Sequence, residues 1–259
     1  MNQQQRREIL IEALLKERGA CHEIEIPKSP EEQKVLLRGL MNIRLPKEID
    51  KNFFKIQDAY LQEEIKQKGI TDANELVPIR DCFYLWQGDI TTLCCDAIVN
   101  AANSGLTGCY IPNHRCIDNC IHSFAGIELR LACDKLIKAQ GYEEPVGQAK
   151  ITPAYNLPCD YILHTVGPIV VGNLTEDDCR LLNSCYRSCL QLAQQKGLES
   201  IAFCCISTGE FYFPQEKAAE IAFSAVKEFM RTKTSIKKVI FNVFKDWDRE
   251  IYRSVLAEN

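Results

Sequence analysis

The chain has 259 residues, 46% hydrophobic and 25% charged, with a formal net charge of −4, enough for one large domain, alone or with an appendage. That balance excludes a sequence-wide electrostatic pull toward nucleic acid or an anionic membrane, and no run approaches the roughly 18 apolar residues of a membrane span. The start, MNQQQRREILIEALLKERG, is too polar for a signal peptide, so a soluble cytoplasmic chain is expected, its 14 cysteines reduced thiols rather than a disulfide scaffold.

In chain order, residues 1–77 read as a helical N-terminal extension. QQRREILIEALLKE carries apolar residues at helical spacing. SPEEQKVLLRGLMNI starts with Ser29 as an N-cap, Pro30 at the first helical position and Glu32 where a capping box places an acid. A third amphipathic segment, IDKNFFKIQDAYLQEEIKQKG, ends at Gly69. No site chemistry is visible here, and the segment reads as an appendage packed on the main domain. A role in choosing a partner protein rests on its texture alone.

Residues 78–259 change grammar. CFYLWQ, DAIVNAA, DYILHTV, SIAFCCIS and KVIFNVF are apolar and rich in β-formers. Between them lie CIDNCIHSFAGIELRLACDKLIKAQG, TEDDCRLLNSCYRSCLQLAQQKG and PQEKAAEIAFSAVKEFMRT, read as helices, the first two ending at Gly141 and Gly197. The alternation predicts an α/β fold, a sheet buried between helices on both faces. Cys185, Cys189, Cys204 and Cys205 lie inside these patterns and act as small hydrophobes.

In such a fold ligands bind beyond the carboxyl ends of the strands. After CFYLWQ comes Asp89, which suits either an exocyclic amine such as that of adenine or a simple turn cap. Asn100 and Asn103 end a very apolar strand and need partners, either a ribose hydroxyl or neighbouring backbone. After SIAFCCI, Ser207, Thr208 and Gly209 form either an anion-binding turn or one selected for sterics.

The sharpest pattern is GCYIPNHRC, residues 108–116. Cys109, His114 and Cys116 place two thiols and an imidazole close enough to share one metal, just before a helix starting near Ile117, whose N-terminus stabilises negative charge. Three ligands leave an open position, as in catalytic zinc sites. Spacing alone fits metal ligands and ordinary loop cysteines equally. His122 and His164 lie in apolar contexts and read as satisfied core histidines.

Together, QGDITTLCCDAIVNAANSGLTG, PVGQAKITPAYNLPCDYILHTVGP and CCISTGEFYFP, in that order and spacing, resemble a macrodomain, the ADP-ribose-binding fold with an α/β/α architecture and a mixed central sheet. Most macrodomains carry a glycine-rich run and a valine-aspartate where this chain has CYIPNHRCIDNCIH. That replacement, with the helical extension, resembles a zinc-dependent microbial branch that removes ADP-ribose from modified proteins.

The resemblance implies a Zn2+ cofactor on Cys109, His114 and Cys116, with these and Asn103 as the catalytic group. It implies adenine at Asp89 and Ile90, distal ribose beside Asn103, and a ribose and phosphate lining from Cys116, Ile117, Asp118 and Asn119. Ser207, Thr208, Gly209, Glu210 and Phe211 match the second diphosphate loop. It also implies protein partners, namely a lipoyl carrier of the glycine-cleavage H type and a sirtuin-like ADP-ribosyltransferase. Two rivals stay open: a reader that binds ADP-ribose without cleaving it, and a purely structural metal closed by a fourth ligand, for which Cys120 is nearest in sequence.

Overall fold

A computed structural model describes residues 1–20 and 24–258. The extension holds three helices, α1 Gln3–Glu17, α2 Pro30–Ile43 and α3 Lys51–Lys68. Each begins on a side-chain cap: Asn2, Ser29 and Asp50 accept from the backbone N–H of Gln5, Glu32 and Asn52, satisfying donors that a helix start leaves open. At α1 the Gln5 side chain returns the bond and completes a capping box. At α2 only the Ser29 half forms, so the box expected from Glu32 is incomplete.

The rest of the chain runs β1 Thr71–Asp72, β2 Phe83–Gln87, β3 Leu93–Cys94, β4 Ala97–Ala102, α4 Ile117–Ala125, α5 Ile127–Gln140, β5 Ala149–Pro153, β6 Tyr161–Val166, α6 Glu176–Gln195, β7 Ser200–Phe203, α7 Gln215–Met230, β8 Lys238–Val243 and α8 Asp246–Glu258. Six strands form one sheet in the order β2-β8-β7-β4-β6-β5. Every pairing is parallel except that of the edge strand β5 with β6. The mixed sheet flanked by helices is the architecture expected, and the helical segment precedes it.

The central strands carry Ile98, Val99, Leu163, Ile201 and Val239, all fully buried, as parallel strands covered on both faces must be. The extension has its own small core, in which Leu10, Ile11 and Leu14 of α1 meet Leu37 and Leu40 of α2 and Phe53 and Leu61 of α3. Ile127 at the start of α5 joins that second core.

Three expectations change. The run 116–141 is two helices, because Gly126 between them has φ +99, outside the helical range. The strand SIAFCCIS ends at Phe203, since the chain must leave the sheet to build the loop that follows. Strand β5 and helix α8 are additional to the sequence reading. No helix among the described residues is long and apolar enough to cross a membrane.

Candidate functional site

The loop between β4 and α4 is irregular yet heavily tied down. Gly108 opens it at φ +84, where a Cβ would sit 2.8 Å from the His122 ring, so only glycine fits. Asn103 just beyond β4 donates from Nδ2 to the Gly108 carbonyl at 3.0 Å. Asn119 is fully buried and donates from Nδ2 to the carbonyls of Cys109 and Ile111 at 3.3 and 3.0 Å.

These ties bring Cys109, His114 and Cys116 together, with one donor atom from each lying within 4.8 Å of the others. Cys109 Sγ and His114 Nδ1 are 3.6 Å apart, near the edge of a tetrahedron with bonds of roughly 2.0–2.3 Å. Cys116 is also the N-cap of α4, its Sγ accepting from Asn119 N–H at 3.4 Å. Burial first, then Cys109 and Asp118, push the Cys116 thiol up to about 12, against the pull of that N–H. Two thiols and one imidazole at these separations are donor types that a zinc-like ion takes, so the donor set fits a thiolate-binding metal. Cys120 is not part of the cluster; its Sγ lies 3.5 Å from Arg38 Nη2.

Of the three strand ends after which the sequence places candidate ligand residues, two meet directly. The loop after β7 carries Ser207, Thr208, Gly209, Glu210 and Phe211, and Glu210 Oε1 stands 3.7 Å from His114 Nε2. With Nδ1 turned toward Cys109 and Nε2 toward a carboxylate, the ring has the orientation in which an outer-shell acid fixes a ligand histidine. Ser207 holds φ +65, strained for a residue with a side chain. Its buried Oγ has no hydrogen-bond partner, and Gly167 packs against it so closely that a Cβ there would lie 2.0 Å from Oγ. An orphaned hydroxyl on a strained turn beside half-buried Phe211 fits a loop shaped for a polar ligand.

The third strand end reaches the site indirectly. Asp89 follows β2 and caps a short 3-10 turn over Ile90–Thr92, accepting from Thr91 N and Oγ1 at 3.0 and 2.6 Å and from Lys68 Nζ at 3.1 Å. Against burial, Thr91 and Lys68 hold its carboxyl below the usual range. Lys68 also lies over the Phe124 ring of α4 at 3.3 Å. Ile90 beside it is buried.

Beneath the β4–α4 loop lies a polar seam that sequence reasoning did not assemble. Asp118 is turned inward and accepts from Asn100 Nδ2 at 2.8 Å and Asn103 Nδ2 at 3.4 Å. Burial raises its carboxyl to about 6, against the pull of Asn100 and Arg130. The side chains of Asp118 and Asn119 therefore brace the loop from below, while the first-turn N–H groups of Ile117 and Asp118 have no intrahelical partner.

Asn100 Nδ2 faces both that carboxylate and His164 Nδ1 at 3.2 Å, which places the His164 proton on Nε2, toward Thr152 Oγ1 at 2.9 Å. His164 is thus the satisfied core histidine expected. His122 is not: neither ring nitrogen completes a hydrogen bond, although Nε2 is 3.6 Å from Asp118 Oδ1. Burial, then His164 and Arg130, draws its pKa well below the ordinary value, so the ring is neutral. His122, Cys133 and His164 are close enough to hold an ion, but both His164 ring nitrogens already face partners, Asn100 and Thr152.

Residues 99–222 match the Macro domain family. The chain is 54% identical over 99% of its length to a "Protein-ADP-ribose hydrolase" of Treponema medium, all of which it covers. It is 48% identical over 96% of its length to a protein of that name from Staphylococcus aureus strain MRSA252, with 94% of the relative covered. Among solved structures, an Oceanobacillus iheyensis macrodomain mutant with ADPR superposes with a TM-score of 0.63 at 37% identity, over 70% of this chain and 96% of that one. A Trypanosoma brucei macrodomain in complex with ADP-ribose gives 0.65 at 27% identity, over 88% and 96%.

Proposed function

The chain belongs to the macrodomain family, and on that premise we propose that it is a protein-ADP-ribose hydrolase whose Cys109, His114 and Cys116 hold a Zn2+ ion. The observation that carries the proposal is the clustering of those three donors on the loop that leads into α4, next to Asn103 and facing Glu210. Full-length relatives named as hydrolases support the activity, and relatives solved with ADP-ribose support the ligand.

The diphosphate is bound by backbone N–H groups of the Ser207–Phe211 loop and the first turn of α4, both suited to anions. Asp89 accepts from the adenine amine, sharing its carboxylate with Lys68. This anchoring fixes the anomeric carbon beside the Cys-His-Cys loop and converts a bimolecular attack into a positioned one. When bound, zinc supplies Lewis acidity toward a ribose oxygen or brings the pKa of a water toward neutrality.

Asn103 is held by Gly108 and Asp118 and orients ribose or water through its amide; having no titratable site, it cannot be the base. Glu210 keeps the His114 ring turned so that Nδ1 faces the thiols. Hydrolysis joins the water oxygen to the anomeric carbon and breaks that carbon's bond to the acceptor side chain, which leaves with a proton from the water. The lipoyl carrier and sirtuin-like transferase implied by the resemblance enter as the proposed acceptor and its modifier.

The test is His114→Ala on the full chain. Release of ADP-ribose from a mono-ADP-ribosylated protein is expected to vanish, while affinity for free ADP-ribose stays within a few-fold. Undiminished release from a variant that has lost its zinc would refute the catalytic role of the metal. Binding by the wild type without any release would make the protein a reader.

A further inference from the structure

The loop that carries Cys109, His114 and Cys116 has no regular secondary structure, yet one face of α2 in the extension holds it at several points. Arg38 Nη2 donates to the His114 carbonyl at 2.7 Å and to Asn119 Oδ1 at 2.9 Å, and Arg38 Nε donates to Ser123 Oγ at 3.3 Å. One turn along, buried Asn42 accepts from the Asn113 N–H at 2.9 Å through Oδ1 and donates to Ser123 Oγ at 2.8 Å through Nδ2. Gly39 lies between them, where a Cβ would be 3.1 Å from Asn113 Nδ2, so α2 and the loop are in close contact.

Each donor position is reached by this clamp. Arg38 touches the His114 backbone directly. Through Asn119, which it orients, it reaches the Cys109 carbonyl and the N–H on Cys116 Sγ. A loop fixed in advance by a planar guanidinium loses less conformational freedom when an ion binds.

We propose that the N-terminal extension is part of the metal centre, with Arg38 as the positioning residue that sets the Cys109, His114 and Cys116 loop for metal. The inference rests on the zinc reading above and adds a role for the extension that its amphipathic texture did not show.

The experiment compares full-length wild type, Arg38→Met and Arg38→Lys. Zinc Kd is read by competition with a chromophoric chelator, site geometry by the visible absorption of the Co2+-substituted proteins, and ADP-ribose affinity by calorimetry. Arg38→Met is expected to weaken zinc roughly 10- to 100-fold, as loss of an outer-shell partner does, and to alter the Co2+ bands. ADP-ribose affinity should fall less than zinc affinity, because Arg38 reaches the first turn of α4 through Asn119 but has no hydrogen bond to the Ser207–Phe211 loop.

Arg38→Lys keeps the charge but cannot fork, and should recover part of the zinc affinity. A folded Arg38→Met protein with wild-type zinc affinity and Co2+ bands overturns the inference. If Arg38→Met does not fold, wild-type zinc affinity in Arg38→Lys overturns it equally. A wild type that takes up no zinc would sink the zinc reading and this inference with it, whereas zinc bound equally by all three proteins sinks the inference alone.

Discussion

Arg130→Met should be among the most damaging single changes outside the metal loop. Arg130 projects from α5 and is 4% exposed. Its Nη1 donates to the carbonyls of Met41, Asn42 and Arg44 at 3.1, 2.7 and 2.6 Å, and its Nε to that of Thr107 at 2.6 Å. The first three lie at the C-terminal end of α2, where carbonyls lack intrahelical partners and the helix dipole favours a cation.

Burial lowers the Arg130 pKa, but a guanidinium stays charged in any fold. Methionine fills most of the volume and leaves four carbonyls without their donor. Bonds to a charged group contribute about 1.5–3 kcal/mol each. Water reaching the vacated space offsets part of that, leaving a net loss of about 3–5 kcal/mol, a large share of the ~5–15 kcal/mol that keeps a domain folded. The urea midpoint should fall accordingly, with Tm lower by roughly 10 °C. Arg130→Lys should fall between, since one ammonium cannot satisfy carbonyls on both sides. A loss below about 1 kcal/mol for Arg130→Met would show that these bonds do not hold α2 to the loop, and would refute the reasoning.

Glu128 and Asp58 meet where α3 packs near α5, and burial, then Asp58, raises Glu128 to about 7 from its ordinary 4.5. The protonated form is the one the fold favours. The contribution of Glu128 to stability should therefore be fully present below pH 4.5 and decline as pH rises through 7, by on the order of 1 kcal/mol once solvent screening is allowed for. Thermal melts at pH 5 and pH 8 should show a smaller decline for Glu128→Gln than for wild type; equal declines would remove Glu128 as the cause. Gly167→Ala places a methyl carbon on the Ser207 hydroxyl, so ADP-ribose affinity by calorimetry should drop at least ten-fold and stability by about 1–3 kcal/mol. Wild-type affinity in that variant would show that the Ser207 turn does not shape the phosphate loop.

Much of the fold is legible because parallel strands covered on both faces are continuous apolar runs, and five of them stand out in the sequence. Strand β5 does not, since AKITP is an edge strand with half-exposed Ala149, Lys150 and Ile151. The break at Gly126 is hidden because the apolar spacing continues across it and a single glycine is compatible with a helix. The Cys-His-Cys cluster is legible because all three donors lie within eight positions. Its supports are not: Arg38 and Asn42 are more than 70 residues away along the chain, and a lone arginine on an amphipathic helix looks like a solvated face. Nor does the sequence distinguish His164, which has close partners on both ring nitrogens, from His122, whose Nε2 stands 3.6 Å from Asp118. That difference depends on where Asn100 and Thr152 fall across the sheet.

The most direct test is release of ADP-ribose from a mono-ADP-ribosylated acceptor protein by enzyme as purified, enzyme stripped with a chelator, and stripped enzyme given Zn2+ again, with bound metal measured in each. Release should disappear on stripping and return as zinc reaches one ion per chain. Release that is the same in all three preparations, with zinc absent from the stripped one, would contradict a catalytic role for Cys109, His114 and Cys116.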